Sequence, residues 1–117
     1  MKTVFVDIDG TIFKQKANLS EVFEEELELL PGVKESFDNW NWKGYKIVIV
    51  TGRKESTRSA TELALKKANL FWDHLLMGLD VGGERVIIND SKAESNQTAR
   101  AFVVDRDKGF DDVLKNL

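Results

Sequence analysis

Val4-Phe5-Val6-Asp7-Ile8-Asp9-Gly10-Thr11 is the stretch that decides how the rest of the chain reads. The apolar run Val4 to Val6 favours a strand, and a continuous run suits one buried on both faces, as in a parallel sheet. Side chains two apart on an extended strand share a face, so Asp7 and Asp9 point the same way. Two anions held that close repel unless a cation lies between them or one keeps its proton. Either arrangement is raw material for catalysis: a metal ligand, a carboxylate nucleophile or a general acid. The plainer alternative is a polar turn after a strand, where Asp and Gly are common. That alternative would win for a lone Asp-Gly. Asp-x-Asp-Gly-Thr after a Val/Phe run favours the functional reading.

The other segments repeat the strand-then-turn pattern. Thr3 to Ile8 is the first strand. Thr11 to Ser20 reads as loop, and Ser20 with Glu21 to Leu29 as a short helix whose Glu24 to Glu26 run is a solvated acidic face. Pro31-Gly32 restarts the chain. Val33, Phe37 and Trp40 fall at i, i+4 and i+7, a helical stripe that Gly44 terminates. Tyr45 to Val50 is a second buried strand. Thr51-Gly52-Arg53 turns it into a helix with Ala60, Leu63, Ala64 and Ala68 as its apolar face and Asn69 as its cap. Leu70 to Leu79 is extended, most strand-like from Phe71 to Met77. Arg85 to Ile88, closed by Asn89-Asp90, and Ala101 to Val104 are further strands. Phe110, Val113, Leu114 and Leu117 mark a closing helix.

With 117 residues, 42% hydrophobic and 32% charged, the chain is expected to be one domain, 1–117, able to bury one core. Strands alternating with helices predict an α/β fold with a mostly parallel sheet. In such sheets ligands bind beyond the carboxyl ends of the strands. Asp7, Thr51 and Asp90 each follow a predicted strand, which places them at one edge. A net charge of −3 argues against a protein that coats nucleic acid, without excluding a nucleic-acid end as substrate. There is no cysteine, and so no disulfide framework and no Cys-based zinc site. No apolar run approaches the ~20 residues of a membrane span. Asp7 and Asp9 interrupt the first apolar run too early for a signal peptide. The expected location is the cytoplasm, with no membrane association. His74 and the tryptophans Trp40, Trp42 and Trp72 read as packing or surface residues.

The Asp7-Ile8-Asp9-Gly10-Thr11 motif, with Ile47-Val48-Ile49-Val50-Thr51-Gly52-Arg53, resembles the haloacid dehalogenase-like (HAD) phosphatase superfamily. The resemblance covers essentially the whole chain, as a small capless type. It implies a three-layer Rossmann-like sandwich with a mostly parallel five-stranded sheet. It also implies a Mg²⁺-dependent phosphatase that hydrolyses phosphomonoesters through an aspartyl-phosphate. On that pattern Asp7 is the nucleophile, and Asp9 protonates the leaving group while its backbone carbonyl helps hold Mg²⁺. Thr51 hydrogen-bonds the phosphate, and Gly52 and Arg53 beside it are expected to contact substrate. Thr51 could equally be a plain helix cap. A carboxylate beside an anionic phosphate needs a cation, and Mg²⁺ suits an all-oxygen site. Its expected ligands are Asp7, Asp9 and Asp90, with Asn89 the weaker neighbour of Asp90.

The family's third motif is a Lys or Arg that neutralises the phosphate, and here two residues compete. Arg85 fits the order along the chain, whereas Lys92 lies past Asp90 on the reactive edge. Both insertion points for a cap are short, so the site is expected to be open. The substrate is then a phosphorylated small molecule, or a macromolecular phosphate end that supplies its own cover, unless a homo-oligomer covers the site. Two other classes compete: a phospho-acceptor signalling domain and a non-catalytic binding domain on the same fold. A receiver would carry its acceptor Asp after the third strand, where none is evident. The Asp7, Asp9, Thr51 and Asp90 set argues against the non-catalytic reading.

Overall fold

The computed structural model describes residues 1–15, 27–94 and 96–117. The helix expected over Ser20 to Leu29 and its acidic run fall mainly outside those residues. Strand β1 (Thr3–Asp7) runs parallel to β2 (Lys46–Val50), which runs parallel to β3 (His74–Leu76), in the order β1-β2-β3. The fold is therefore α/β with a parallel, Rossmann-like sheet. The register pairs Asp7 with Val50 and Val50 with Leu76, so the three strands end level with one another. That alignment is what brings Asp7 and Thr51 to one edge.

β2 is the central strand. Its Ile47, Val48 and Ile49 are all buried, as a run of β-branched residues with sheet on both sides requires. β1 departs from that expectation. Val6 is buried, but Phe5 is 50% exposed, because among the described residues β1 pairs on one side only.

Helix α1 (Val33–Trp42) buries Val33, Ser36, Phe37 and Trp40, the stripe read from the sequence. Phe37 and Trp40 have ring centroids 5.2 Å apart, and Trp40 stacks on Phe110 at 5.9 Å. A fully buried side chain of this kind contributes about 1.5–3 kcal/mol. Gly44 follows the helix in the left-handed region (φ 78°), donating to Asn41 O, and Tyr45 N then donates to Trp40 O. This is the glycine-terminated helix end expected there.

After β2, a single 3₁₀ turn (Glu55–Thr57) precedes helix α2 (Arg58–Lys67). Asn69 ends α2 in the left-handed region (φ 58°). The helix buries Thr61 and Leu65, while Leu63 is 53% exposed. Of the expected Ala60, Leu63, Ala64 and Ala68 stripe, Ala64 and Ala68 pack against the core, whereas Leu63 faces out and Thr61 takes an inward position beside Thr57 of the preceding turn. Helix α3 (Asp111–Asn116) closes the fold, with Phe110 and Val113 buried.

The sheet has three strands among the described residues. Arg85 to Ile88 and Ala101 to Val104 were expected as strands and carry none. Val86, Ile88 and Val103 lie exposed, and no ladder partner flanks them. Strand propensity expresses fit to a pleated, half-buried surface, so a Val/Ile run without that surface has no reason to extend into a strand. The residues that close the first run are tied to the segment before the second: Asn89 Nδ2 donates to Thr98 O (3.0 Å) and Thr98 Oγ1 to Asp90 O (2.6 Å). No helix among the described residues is long and apolar enough to cross a membrane.

Candidate active site

The carboxyl end of β1 leads into a tight turn. Ile8 O accepts from Thr11, Ile12 and Phe13 N–H groups, and Gly10 N donates to Phe13 O (2.7 Å). Ile8, Ile12 and Phe13 are fully buried, so the turn is anchored from below and Asp7 and Asp9 are presented at the sheet edge. The segment Asp105–Asp107 braces the turn from the other side. Asp107 N donates to Gly10 O, and Asp107 Oδ1 accepts from Gln15 N (both 2.9 Å).

Asp7 is half-buried, and that burial pushes its carboxyl above the ordinary value of 3.8. A hydrogen bond from the Ile8 backbone lowers it, the negative charge of Asp9 raises it further, and the charge of Arg85 and the Thr11 hydroxyl lower it. The two carboxylates therefore lie close enough to repel, which is the condition that a cation between them relieves.

Thr51 is buried at the end of β2, with its N–H donated to Leu76 O (2.9 Å). Its Oγ1 accepts from Arg53 N (3.1 Å). The hydroxyl keeps its proton to give, which suits an anion at the edge. The helix expected directly after Arg53 begins later, at the Glu55–Thr57 turn, so Thr51 caps a loop turn and not a helix. Gly52 permits a close crossing, since a Cβ there would lie 2.7 Å from Val81 Cγ2 and 3.2 Å from Leu79 O.

Arg53 lies behind Asp9. Its Nε donates to Asp9 Oδ2 (2.9 Å), its Nη2 to Asp9 Oδ1 (2.7 Å) and its Nη1 to Thr61 Oγ1 (3.1 Å). Only 3% of its side chain is exposed, against 31% for Asp9. Sequence reasoning placed Arg53 against substrate and missed this pairing. The available signal was the Thr57/Thr61 pair, two polar residues at i, i+4 on the inward face of a helix.

Of the other predicted residues, Arg85 acts on Asp7 through its charge and donates to Asp80 O (3.2 Å). Lys92 is instead paired with Asp90 (2.7 Å), both largely exposed. Asp90 is not gathered with Asp7 and Asp9. No group of three His, Cys, Asp or Glu side chains placed to hold a metal occurs among the described residues. The donors that fit a hard divalent cation are the Asp7 carboxylate and the Asp9 backbone carbonyl, since both Asp9 carboxylate oxygens accept from Arg53. Mg²⁺ usually takes one or two carboxylates and completes its shell with water and phosphate oxygens.

A parallel sheet with a carboxylate pair beyond one strand and a buried threonine beyond the next defines the class: a Rossmann-like α/β domain with its site at the strand ends. The model of the HAD superfamily, subfamily IIIB (acid phosphatase), matches residues 1–102, and the chain belongs to that family. Its fold is that of the HAD-family phosphatases. A chain in the structure of a Pnkp1/Rnl/Hen1 complex is similar at a TM-score of 0.59 and 26% identity, over 72% of this chain and 30% of that one. A structure of the Pnkp1/Rnl/Hen1 RNA repair complex gives 0.59 and 28%, over 72% and 27%. A structural-genomics target from Vibrio cholerae gives 0.53 and 25%, over 77% and 80%. The chain thus spans less than a third of the length of the chains it matches in those complexes. No curated protein matches the sequence.

Proposed function

We propose that the chain is a phosphomonoesterase working through a phosphoryl group carried on Asp7. The observation that carries this reading is the Asp7–Asp9 pair at the end of β1, level with Thr51 at the end of β2. Phosphoryl transfer asks the protein mainly for an aligned nucleophile and for neutralised charge. An Asp7 carboxylate oxygen attacks phosphorus, and the bond to the leaving oxygen breaks. Asp9, entering the step with a proton on an oxygen lone pair that Arg53 leaves free, gives that proton to the leaving oxygen. A water molecule then attacks the phosphorus, Asp9 takes the water proton, and inorganic phosphate leaves while the Asp7 carboxylate is restored. Thr51 Oγ1–H donates to a phosphate oxygen, and Arg85 supplies positive charge near Asp7.

Burial works against an ionised Asp7, so its reactive form depends on nearby positive charge. Mg²⁺ held by the Asp7 carboxylate and the Asp9 backbone carbonyl would supply that charge and neutralise the phosphate oxygens. Asp90 would have to approach from its Lys92 pair to join it. The geometry supports Arg85 over Lys92 as the cation of the third motif, since Lys92 is engaged by Asp90. The likeness to a chain of an RNA repair complex supports a polynucleotide phosphate end as the substrate. The test is phosphate release from an aryl phosphate with Mg²⁺ present and then chelated. Release that stops on chelation and returns with Mg²⁺ supports the reading. Release indifferent to chelation contradicts the metal's role, and no release from aryl or polynucleotide phosphates contradicts the function.

A further inference from the structure

The guanidinium of Arg53 is fully committed inside the protein. Its Nε and Nη2 grip both oxygens of Asp9, the planar fork-on-carboxylate arrangement that fixes direction as well as distance. Its remaining donor edge rests on Thr61 of α2. Thr61 Oγ1 lies 3.5 Å from Thr57 Oγ1, which donates to Lys54 O (2.8 Å). Arg53 N is tied to Thr51 Oγ1, and Arg53 O accepts from Gly78 N (2.7 Å). The residue is thus held at its backbone and at its tip, with its guanidinium turned toward Asp9 and Thr61. Asp9 itself sits one residue before a glycine in a turn, and among the described residues Arg53 is the side chain that grips its carboxylate. Without that grip, rotation about χ1 and χ2 would carry the carboxylate away from the leaving oxygen.

We propose that Arg53 is a positioning residue: it aims Asp9 at the leaving-group oxygen, and Thr61 of α2, itself in contact with Thr57 of the preceding 3₁₀ turn, holds Arg53 in turn. This rests on the reading of Asp9 as the group that protonates the leaving oxygen. Effectiveness of a general acid requires hydrogen-bond reach to the reacting atom, so a misaimed Asp9 loses proton transfer while Asp7 can still attack. The loss must therefore depend on the leaving group. A nitrophenolate departs without a proton, whereas an alkoxide does not.

The experiment compares kcat on p-nitrophenyl phosphate and on an alkyl phosphate for the full chain and for Asp9→Asn, Arg53→Lys and Thr61→Val. Lysine keeps the charge but cannot grip both oxygens. Arg53→Lys is expected to lose ~10²-fold on the alkyl ester and only a few-fold on the nitrophenyl ester, the lower end of what acid catalysis contributes. Thr61→Val, which keeps the shape and removes the hydroxyl, is expected to show the same asymmetry at roughly a tenth of the size. Equal losses on both esters, in Arg53→Lys or, should that variant not fold, in Thr61→Val, would overturn the positioning role and leave Arg53 a stabilising ion pair. Asp9→Asn separates the two layers. If it too loses equally on both esters, the acid role of Asp9 fails and the inference fails with it. If it is leaving-group dependent while the Arg53 and Thr61 variants are not, the acid role stands and the inference alone falls.

Discussion

Gly109→Ala should destabilise the protein well beyond the usual effect of a surface substitution, because two separate penalties meet at that residue. Gly109 has φ +85°, in the left-handed region, and an added Cβ would run into the Pro31 carbonyl oxygen, with Pro31 C at 3.0 Å and Pro31 N at 3.1 Å. The left-handed conformation costs a non-glycine residue about 1–2 kcal/mol. Forcing apart two backbone segments adds about 1–3 kcal/mol, the cost of overpacking a tight site. Backbone cannot rotate out of the way as a side chain can, and Pro31 is further pinned because its carbonyl accepts from Phe110 N (3.1 Å). The sum is about 2–5 kcal/mol, out of a total stability of roughly 5–15 kcal/mol. At a urea slope of about 1.5 kcal/mol/M, a loss of about 3 kcal/mol moves the unfolding midpoint down by about 2 M. Gly82→Ala is the control: φ is +77° but nothing lies within 4 Å of the added carbon, so only the conformational penalty applies. The assay is urea unfolding of the two variants and the parent, followed by tryptophan fluorescence. If Gly109→Ala shifts the midpoint no more than Gly82→Ala does, the contact with Pro31 carries no energy. The bracing of the Asp7–Thr11 turn through Asp107 would then need another anchor than Gly109.

The remaining predictions concern charge at the site. The carboxyl of Asp7 titrates higher in the folded chain than in the unfolded one, owing first to burial. The folded state therefore binds that proton more tightly, so stability is full below the ordinary value of 3.8 and declines as pH rises through the folded value. Asp7→Asn should thus raise the urea midpoint at neutral pH without metal. The advantage should shrink as pH falls, and a variant less stable than the parent at neutral pH would contradict the burial argument. Arg85→Ala should lower kcat by ~10²–10³-fold, the usual loss of one charge stabiliser beside a reacting group. Lys92→Ala should change it little, since that ammonium is paired on the surface. Equal rates in both variants, measured on one aryl phosphate, would remove both from the site.

Much of the arrangement was legible in the order of residues. A buried Ile47–Val50 run and the 3.6-residue spacing of Val33, Phe37 and Trp40 announce their elements, because burial on both faces, or on one stripe, leaves a periodic trace. Parallel strands of matched register then bring Asp7 and Thr51 together without any further signal. Three things did not show. The Val86–Ile88 and Ala101–Val104 runs look like strands, but propensity says nothing about whether a ladder partner is present. The inward positions of Thr57 and of Thr61 on α2 were missed because the two hydroxyls are satisfied on each other, on Lys54 O and on Arg53, and a polar residue with such partners can occupy a core position. Arg53 was taken for a substrate contact because its neighbours, Thr51 and Gly52, are at the edge. Only the fold reveals that its side chain turns inward, and sequence spacing cannot tell a guanidinium facing a substrate from one facing the acid beside it.

The central claim is that the phosphoryl group passes through Asp7, and the measurement that bears on it most directly is an acid quench within a single turnover. The protein is mixed with Mg²⁺ and excess aryl phosphate, quenched in acid, digested and weighed by peptide. An acyl phosphate forms only by attack of a carboxylate on phosphorus, and it survives briefly in acid. The peptide containing Asp7 should carry one added phosphoryl group, hydroxylamine should remove it, and Asp7→Asn should show none. A turning-over protein whose Asp7 peptide stays unmodified, or a phosphoryl group found on another residue, would contradict it.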